Sequence, residues 1–265
     1  MRLKELINKS VYGTTGHVGS TDDTNKLEQY ILYNLPVLKE FKQIIVAANY
    51  SGPSSNKINN ESLWKGYFPN CILLHPEVNR GRNFGTTDLD NILFDYCKEY
   101  NENWLCKSDN DVILQPILLD KEVDEADFYY INGIGFGGMV KYNFDFNRII
   151  NEDFYPQTWL YFMNVSKVNY LNDKQYLDET YKQIQSIPDC NDRIWEYIDG
   201  WSCEYFLREC INRNNLSKFH LVPQEKYITL LEVIKNYNIH DCSYKNIMIE
   251  GACHLQYPDQ ETIQI

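Results

Sequence analysis

The sequence predicts a single α/β domain with a mostly parallel, Rossmann-like central sheet and helices on both faces. Apolar runs of strand length alternate with helical patterns over short links, which is typical of doubly wound sheets. Residues 41–49 (Phe-Lys-Gln-Ile-Ile-Val-Ala-Ala-Asn) carry the continuous apolar run of a strand buried on both faces of a parallel sheet. The 265 residues contain no internal repeat and no low-complexity linker, so we predict one domain.

The composition excludes several classes of protein. Hydrophobic residues make up 43% of the chain and aromatic residues 14%, so the chain is not a disordered segment. The net charge of −12 argues against non-specific binding to nucleic acid or to an anionic membrane. The eight cysteines include no Cys-x-x-Cys pair, which excludes the usual zinc-finger and thioredoxin spacings.

The sequence also lacks the marks of a membrane or secreted protein. No stretch approaches the ~20 apolar residues of a membrane-spanning helix. Residues 1–9 are too short and too charged for a signal peptide. We therefore expect a soluble, cytoplasmic protein without a transmembrane segment.

The first elements are a strand, a glycine-rich segment and a helix. Val11 and Tyr12 begin a strand, and we predict that it breaks into a loop over residues 13–20. Such a loop can bring backbone N–H groups close to a nucleotide. It lacks the Lys-Ser/Thr of a Walker motif and the strict dinucleotide fingerprint. Apolar residues at helical spacing then predict a helix over residues 24–38.

Two more strands and two more helices follow. After the strand at residues 41–49, we predict a short helix at residues 64–68, a strand at 71–75 and a helix at 87–100. Right-handed connections place the carboxyl ends of these strands along one edge of the sheet.

The loop after the third of these strands contains Asn79, Arg80, Gly81 and Arg82. Ligands of α/β sheets bind outside the strand ends, where this loop lies. Arg80 or Arg82 can clamp a diphosphate, and the N-terminus of the following helix adds partial positive charge. The alternative is an ordinary turn with solvated arginines.

Residues 103–115 contain the pattern around which the rest of the chain is interpreted. A short apolar run leads into Asp109, Asn110 and Asp111, and an apolar run then resumes. Two carboxylates separated by one residue at a strand end can reach one hard cation, and Mg²⁺ or Mn²⁺ prefers such oxygen ligands. The alternative is a solvated turn, because Asp and Asn are favoured turn residues.

The second half predicts strands at residues 128–131 and 159–165, a helix at 170–187 and a strand at 220–223. Residues 132–138 are rich in glycine and can shape an acceptor site. Asp199 and Glu204 flank the start of a further helix. In one interpretation Asp199 is the N-terminal cap of this helix and Glu204 is a surface residue. In the other, their carboxylates face a sugar. His254 lies in an apolar run and is a core histidine unless the tail folds back onto the aspartate pair.

Taken together, these residues resemble the GT-A family of nucleotide-sugar-dependent glycosyltransferases. The resemblance covers the first half well and the second half loosely. It rests on the order of the elements more than on any one motif, since Asp-x-Asp is short. The sequence departs from the family in two places: the strand ending at Asn49 lacks the Asp that many members place against uracil, and the loop over residues 13–19 lacks proline.

The resemblance implies a GT-A-like fold with a smaller acceptor-side sheet. Residues 1–120 would be the nucleotide-sugar-binding half and residues 121–265 the acceptor-binding half. It also implies transfer of a sugar from a nucleotide-sugar donor, most commonly a UDP-sugar, to a hydroxyl of a glycan or other acceptor.

Site roles follow from the same resemblance. Asp111 would bind Mn²⁺ or Mg²⁺ directly, Asp109 would contact the donor and reach the metal through water, and His254 would be the C-terminal metal ligand. Glu204 or Asp199 would be the general base of an inverting enzyme, whereas a retaining enzyme needs no such base. The remaining donor-binding residues would be Asn49, Asn79, Arg80, Gly81, Asn110 and Trp201.

Two other interpretations remain. A nucleotidyltransferase would have Arg or Lys in the first glycine-rich segment, which contains neither. A non-catalytic carbohydrate-binding module would use the aspartate pair as a turn or a Ca²⁺ site, and it leaves the loop around Arg80 without a role.

Overall fold

The computed structural model describes residues 1–80, 82–132, 154, 156–169, 174–185, 203–221, 248–249 and 252–254. The described helices are α1 (Leu3–Lys9), α2 (Thr21–Leu38), α3 (Ser54–Tyr67), α4 (Arg82–Glu99), α5 (Lys174–Gln185) and α6 (Cys203–Arg213). The described strands are β1 (Val11–Val18), β2 (Gln43–Tyr50), β3 (Ile72–Leu74), β4 (Trp104–Asp109), β5 (Val112–Leu114), β6 (Phe128–Asn132), β7 (Pro156–Asn164), β8 (Lys218–His220), β9 (Met248–Ile249) and β10 (Ala252–His254).

Seven strands form one sheet in the order β3-β2-β1-β4-β7-β6-β8. Strands β3, β2, β1 and β4 run parallel to one another, and β8 runs parallel to β6. Strand β7 runs antiparallel to both β4 and β6. The predicted fold class, an α/β domain with a mostly parallel central sheet between helices, is confirmed.

A hydrophobic core lies on each face of this sheet. On one face, Leu6 of α1, Ile31 of α2 and Trp64 of α3 belong to a single buried cluster. On the other face, Leu93 of α4 and Ile211 of α6 belong to a second cluster. Burial of apolar area on both faces stabilises the sheet and explains the continuous apolar run of β2.

Strand β1 is longer than predicted. We expected a loop over residues 13–20, but the strand continues as far as Val18, so this prediction is wrong for residues 13–18. The segment from Val11 to Thr15 is buried and pairs with both β2 and β4. Its glycines are needed for close packing. A Cβ on Gly13 would lie 2.8 Å from Leu93 Cδ1, and a Cβ on Gly16 would lie 2.3 Å from Asn110 Nδ2.

Helix α3 is also longer than the short helix predicted at residues 64–68. Its buried positions are Asn56, Asn60 and Trp64, spaced four residues apart on one face. Two of these three residues are polar, so the apolar periodicity that identifies an amphipathic helix is missing from the sequence. Helix α4 likewise begins at Arg82, five residues before the predicted start.

A smaller, three-stranded sheet has the order β5-β10-β9. Strand β10 pairs antiparallel with β5, so the described part of the tail folds back to the aspartate pair. The buried Asn34 side chain of α2 also holds β5: its Nδ2 donates to the Val112 carbonyl at 2.7 Å, and its Oδ1 accepts from Leu114 N at 2.6 Å. Strand β5, which follows Asp111, is therefore held both by β10 and by Asn34 of α2.

The predicted division into a donor half (1–120) and an acceptor half (121–265) stays a prediction. Among the helices that the structure describes, none is long and apolar enough to cross a membrane.

Candidate functional site

A cavity of about 410 Å³ opens at the carboxyl ends of β1, β2 and β4. The chain order of the sheet reverses at β1, with β2 and β3 on one side and β4 on the other. Ligands of open α/β sheets bind at such a switch point. The cavity is lined by Thr15, Gly16, His17, Asn49, Asn79, Thr86, Leu89, Asp109, Asn110 and Asp111.

Five of the predicted site residues lie together in this lining. They are Asn49, Asn79, Asp109, Asn110 and Asp111. Parallel strands bring them together, because residues far apart in sequence reach the same edge of the sheet when their strands end there. The aspartate pair is therefore part of a concave site, rather than only a turn on a convex surface.

The carboxylate of Asp109 is held on one oxygen. Its Oδ1 accepts a hydrogen bond from Thr15 Oγ1 at 2.9 Å and another from Lys107 Nζ at 2.5 Å. Asp109 is the last residue of β4, and its side chain is 24% exposed. The carboxylate is therefore held by the protein on one side and exposed on the other. Among the described residues, both of its hydrogen bonds end on Oδ1, which leaves Oδ2 for a ligand.

Lys107 is a buried cation directly behind Asp109. Its side chain is fully buried, and its ammonium also donates to the Thr158 carbonyl at 2.5 Å. Asp90 Oδ1, on α4, lies 3.5 Å from the same nitrogen. Burial disfavours the charged lysine, but the carboxylates of Asp109 and Asp90 outweigh burial and raise the pKa of Lys107 above its usual range.

Asp90 is the weaker counter-charge in this cluster. Burial raises the pKa of Asp90 to about 7, although the ammonium of Lys107 opposes that rise. The Tyr161 hydroxyl also donates a hydrogen bond of 3.4 Å to Asp90 Oδ2. The ammonium of Lys107 lies closer to the carboxylate of Asp109 than to that of Asp90, at 2.5 Å compared with 3.5 Å.

The turn between β4 and β5 is fixed against β1. The Asn110 N–H donates to the Thr15 carbonyl at 2.9 Å, and the Asn110 side chain lies over Gly16. No larger residue fits at position 16 without moving the Asn110 side chain. This contact sets the position from which Asp111 enters the cavity.

Two asparagine amides form the opposite wall of the cavity, where β2 and the loop after β3 end. Asn49 is 6% exposed, and its Oδ1 accepts no hydrogen bond from any residue in the described part of the chain. Gly85, in the first turns of α4, comes close to both amides, since a Cβ there would lie 3.3 Å from Asn49 Nδ2 and from Asn79 Oδ1. A buried amide oxygen at a cavity wall is suited to accept a hydrogen bond from a ligand.

His17 lies at the exposed rim of the cavity. Its Nε2 is 2.9 Å from Ser51 Oγ, which joins the ends of β1 and β2. Neither residue was predicted as part of the site.

The guanidinium of Arg80 does not lie among the lining residues. It makes two hydrogen bonds to Asp88, of 2.7 and 2.5 Å, and one to Asp178 of α5 at 2.8 Å. It also lies 5.6 Å from the ring centre of Phe84 and 5.3 Å from that of Tyr181. Arg80 therefore ties the loop that carries Asn79 to α4 and α5, and its contact with a diphosphate stays a prediction.

Glu204 lies in the first turn of α6, near this network but outside the cavity lining. Its Oε1 accepts a hydrogen bond from Thr158 Oγ1 at 3.3 Å, and its Oε2 accepts one from Cys203 Sγ at 3.2 Å. Thr158 also binds Lys107 through its carbonyl. Two residues, Thr158 and Lys107, thus connect Glu204 to Asp109.

The other predicted site residues are described in part or not at all. The backbone of His254 pairs with Val112, the residue after Asp111, but its side chain is not among those described. Gly81, Asp199 and Trp201 lie outside the described residues. Within the described ranges, no three His, Cys, Asp or Glu side chains form a cluster that could hold a metal ion.

Comparisons with known proteins add little to this geometry. No protein-family model matches the sequence, and no curated protein sequence matches it. Among solved structures, the chain is similar to the apo structure of WbbM, a bifunctional glycosyltransferase, with a TM-score of 0.42 and 15% sequence identity. That alignment covers 77% of this chain and 37% of the WbbM chain, so this chain spans well under half of that protein.

The residues that the sequence analysis missed are Thr15, His17, Lys107, Asp90 and Thr158. One signal for Lys107 was present. It lies two residues before Asp109 in a strand, so both side chains point to the same face, and a lysine within a buried strand requires a partner. Asp90 and Thr158 are brought in by α4 and β7, which no local pattern could reveal.

Proposed function

We propose that this chain is a glycosyltransferase that moves a sugar from a nucleotide-sugar donor to a hydroxyl of a glycan or other acceptor. The observation that carries the proposal is the cavity at the switch point of the sheet, with Asp109, Asn110 and Asp111 on one wall and Asn49 and Asn79 on the other. The carboxylates of the aspartates and the amides of the asparagines together suit a ligand with a ribose, a base and phosphates.

The carboxylates of Asp109 and Asp111 suit a divalent cation. Both line the same cavity, and Mg²⁺ or Mn²⁺ needs only one or two carboxylates because it keeps waters and substrate phosphates as further ligands. The backbone register of His254 beside Val112 supports its assignment as a third ligand. When bound, such a cation supplies positive charge that stabilises a departing diphosphate.

The protein residues would act on the acceptor and on the donor sugar. The acceptor oxygen forms a bond to the anomeric carbon of the donor while the bond from that carbon to the diphosphate breaks. The nucleoside diphosphate leaves, and the acceptor hydroxyl loses its proton. In an inverting reaction Glu204 or Asp199 takes that proton, whereas a retaining reaction needs no base at this position.

The first test of the proposal is Asp111→Asn. The variant retains the shape of the side chain but removes its charge, so we expect turnover with nucleotide sugars to fall at least about a hundredfold. Release of nucleoside diphosphate from the donor, with water as acceptor, measures this without knowledge of the natural acceptor.

The matched control is Asp120→Asn, because Asp120 is exposed and lies outside the cavity lining. It should behave as the wild-type chain does. Near-normal turnover by Asp111→Asn would contradict the assignment of the aspartate pair.

A further inference from the structure

Lys107 joins three elements under the candidate site. Its ammonium contacts Asp109 at the end of β4, the Thr158 carbonyl of β7 and Asp90 of α4. An ammonium that is fully removed from water is costly unless charged and polar partners surround it. These three contacts supply such an environment, so the cation has one fixed position.

The strongest of these contacts is the one with Asp109. The distance from Lys107 Nζ to Asp109 Oδ1 is 2.5 Å, compared with 3.5 Å to Asp90 Oδ1. A cation that served only to neutralise the buried Asp90 would be closest to Asp90. Here it binds the carboxylate that lines the cavity, on the same oxygen that accepts the Thr15 hydroxyl.

The contact with Thr158 extends the network towards the acceptor side. The Thr158 carbonyl accepts from Lys107, while its hydroxyl donates to Glu204 at 3.3 Å. One lysine therefore fixes the donor-side carboxylate and the backbone of the residue that holds Glu204.

We propose that Lys107 is a positioning residue for glycosyl transfer: it fixes the Asp109 carboxylate so that Oδ2 is presented to the donor, and it sets the distance between Asp109 and Glu204. This inference rests on the proposed function. It differs from a structural role, in which the lysine would only stabilise the fold and any well-packed apolar replacement would serve equally well.

The test compares variants that avoid leaving a buried charge unpaired. Lys107→Met alone would leave Asp90 without its cation, so the main variant combines Lys107→Met with Asp90→Asn. A second variant, Lys107→Gln with Asp90→Asn, replaces the ammonium with an amide that can still donate a hydrogen bond. The control is Lys98→Met, because Lys98 also donates to a carbonyl, that of Val165, but lies near the far end of α4.

Circular dichroism and thermal melting establish that each variant is folded. Turnover is then measured as nucleoside diphosphate release from a panel of UDP-, GDP- and dTDP-sugars with Mn²⁺. We expect kcat/KM of the Met/Asn variant to fall by about tenfold or more, that of the Gln/Asn variant to fall less, and Lys98→Met to match the wild type.

A double-mutant cycle with Asp109→Asn distinguishes a role of Lys107 in positioning Asp109 from a role in stabilising the fold. If Lys107 acts through Asp109, adding Asp109→Asn to the Met/Asn variant causes little further loss, because the same function is already lost. Wild-type kcat/KM in the folded Met/Asn variant, or losses that simply add, would overturn the inference. So would equal activity of the Gln/Asn and Met/Asn variants. A wild-type chain that turns over none of the donors would overturn the proposed function as well, whereas an active wild type confines the failure to Lys107.

Discussion

The two aspartates of the candidate site have different surroundings, although only one residue separates them. Asp109 is held by Thr15 and Lys107 on a single oxygen, and the lysine offsets its charge from inside the protein. Asp111 follows the Asn110 turn and enters the same cavity just before β5. We therefore expect Asp109 to act mainly as an oriented hydrogen-bond acceptor and Asp111 to be the principal ligand of a cation.

A single substitution tests the proposed role of Glu204 as the general base. Glu204→Gln retains an oxygen that accepts the Thr158 hydroxyl but removes the base, so an inverting enzyme should lose about a hundredfold or more in kcat while donor binding is unchanged. Turnover with an acceptor and the melting-temperature shift caused by the donor measure the two effects separately.

Glu209→Gln, on the same helix and paired with Arg213, is the matched control and should leave both measurements unchanged. A fall of less than about threefold in Glu204→Gln would exclude it as the general base. Asp199, or a retaining mechanism, would then be favoured.

At the scale of elements, the site depends on β1 passing very close to the turn after β4. Gly16 allows this approach, since it has no side chain where Asn110 lies. Its backbone does not adopt a left-handed conformation, so alanine at this position would meet only a steric obstacle. The glycines of this strand were interpreted as loop residues, because spacing alone does not distinguish a glycine that bends the chain from one that admits a neighbour.

Two glycine-to-alanine substitutions test whether Gly16 is needed for the close approach of β1 to the turn after β4. Gly16→Ala should displace the Asn110 side chain, destabilise the fold by about 1–3 kcal/mol and weaken nucleotide binding at the cavity. Chemical denaturation and a thermal shift with nucleotide and Mn²⁺ measure the two effects.

Gly66→Ala is the control. It lies in α3, has no atom within 4 Å of the added Cβ, and should stabilise the chain by about 0.5–1 kcal/mol with unchanged binding. If both variants bind nucleotide as the wild type does, the contact between Gly16 and Asn110 has no part in the site.

At the scale of the whole molecule, the sheet brings together residues from β1, β2, β4 and the loop after β3. The strands could be predicted because apolar runs such as that of β2 are local, and the edge of the sheet could be predicted because connections between parallel strands have one hand. These two rules place Asn49, Asn79 and Asp109 at one edge of the sheet, whereas their assignment to a donor site came from the family resemblance. The buried network behind it was not predictable, because Lys107 depends on Thr158 and Asp90, which reach it only through the tertiary fold.

The measurement that tests the central claim most directly is a thermal-shift screen of UDP, GDP, dTDP and their sugars, each with and without Mn²⁺. A ligand that binds only the folded state raises the melting temperature by mass action. We predict a rise that requires both the metal and one class of nucleotide, and that is lost in Asp111→Asn but not in Asp120→Asn. No rise with any nucleotide, with or without Mn²⁺, would contradict the proposed function and favour a binding module that uses no nucleotide sugar.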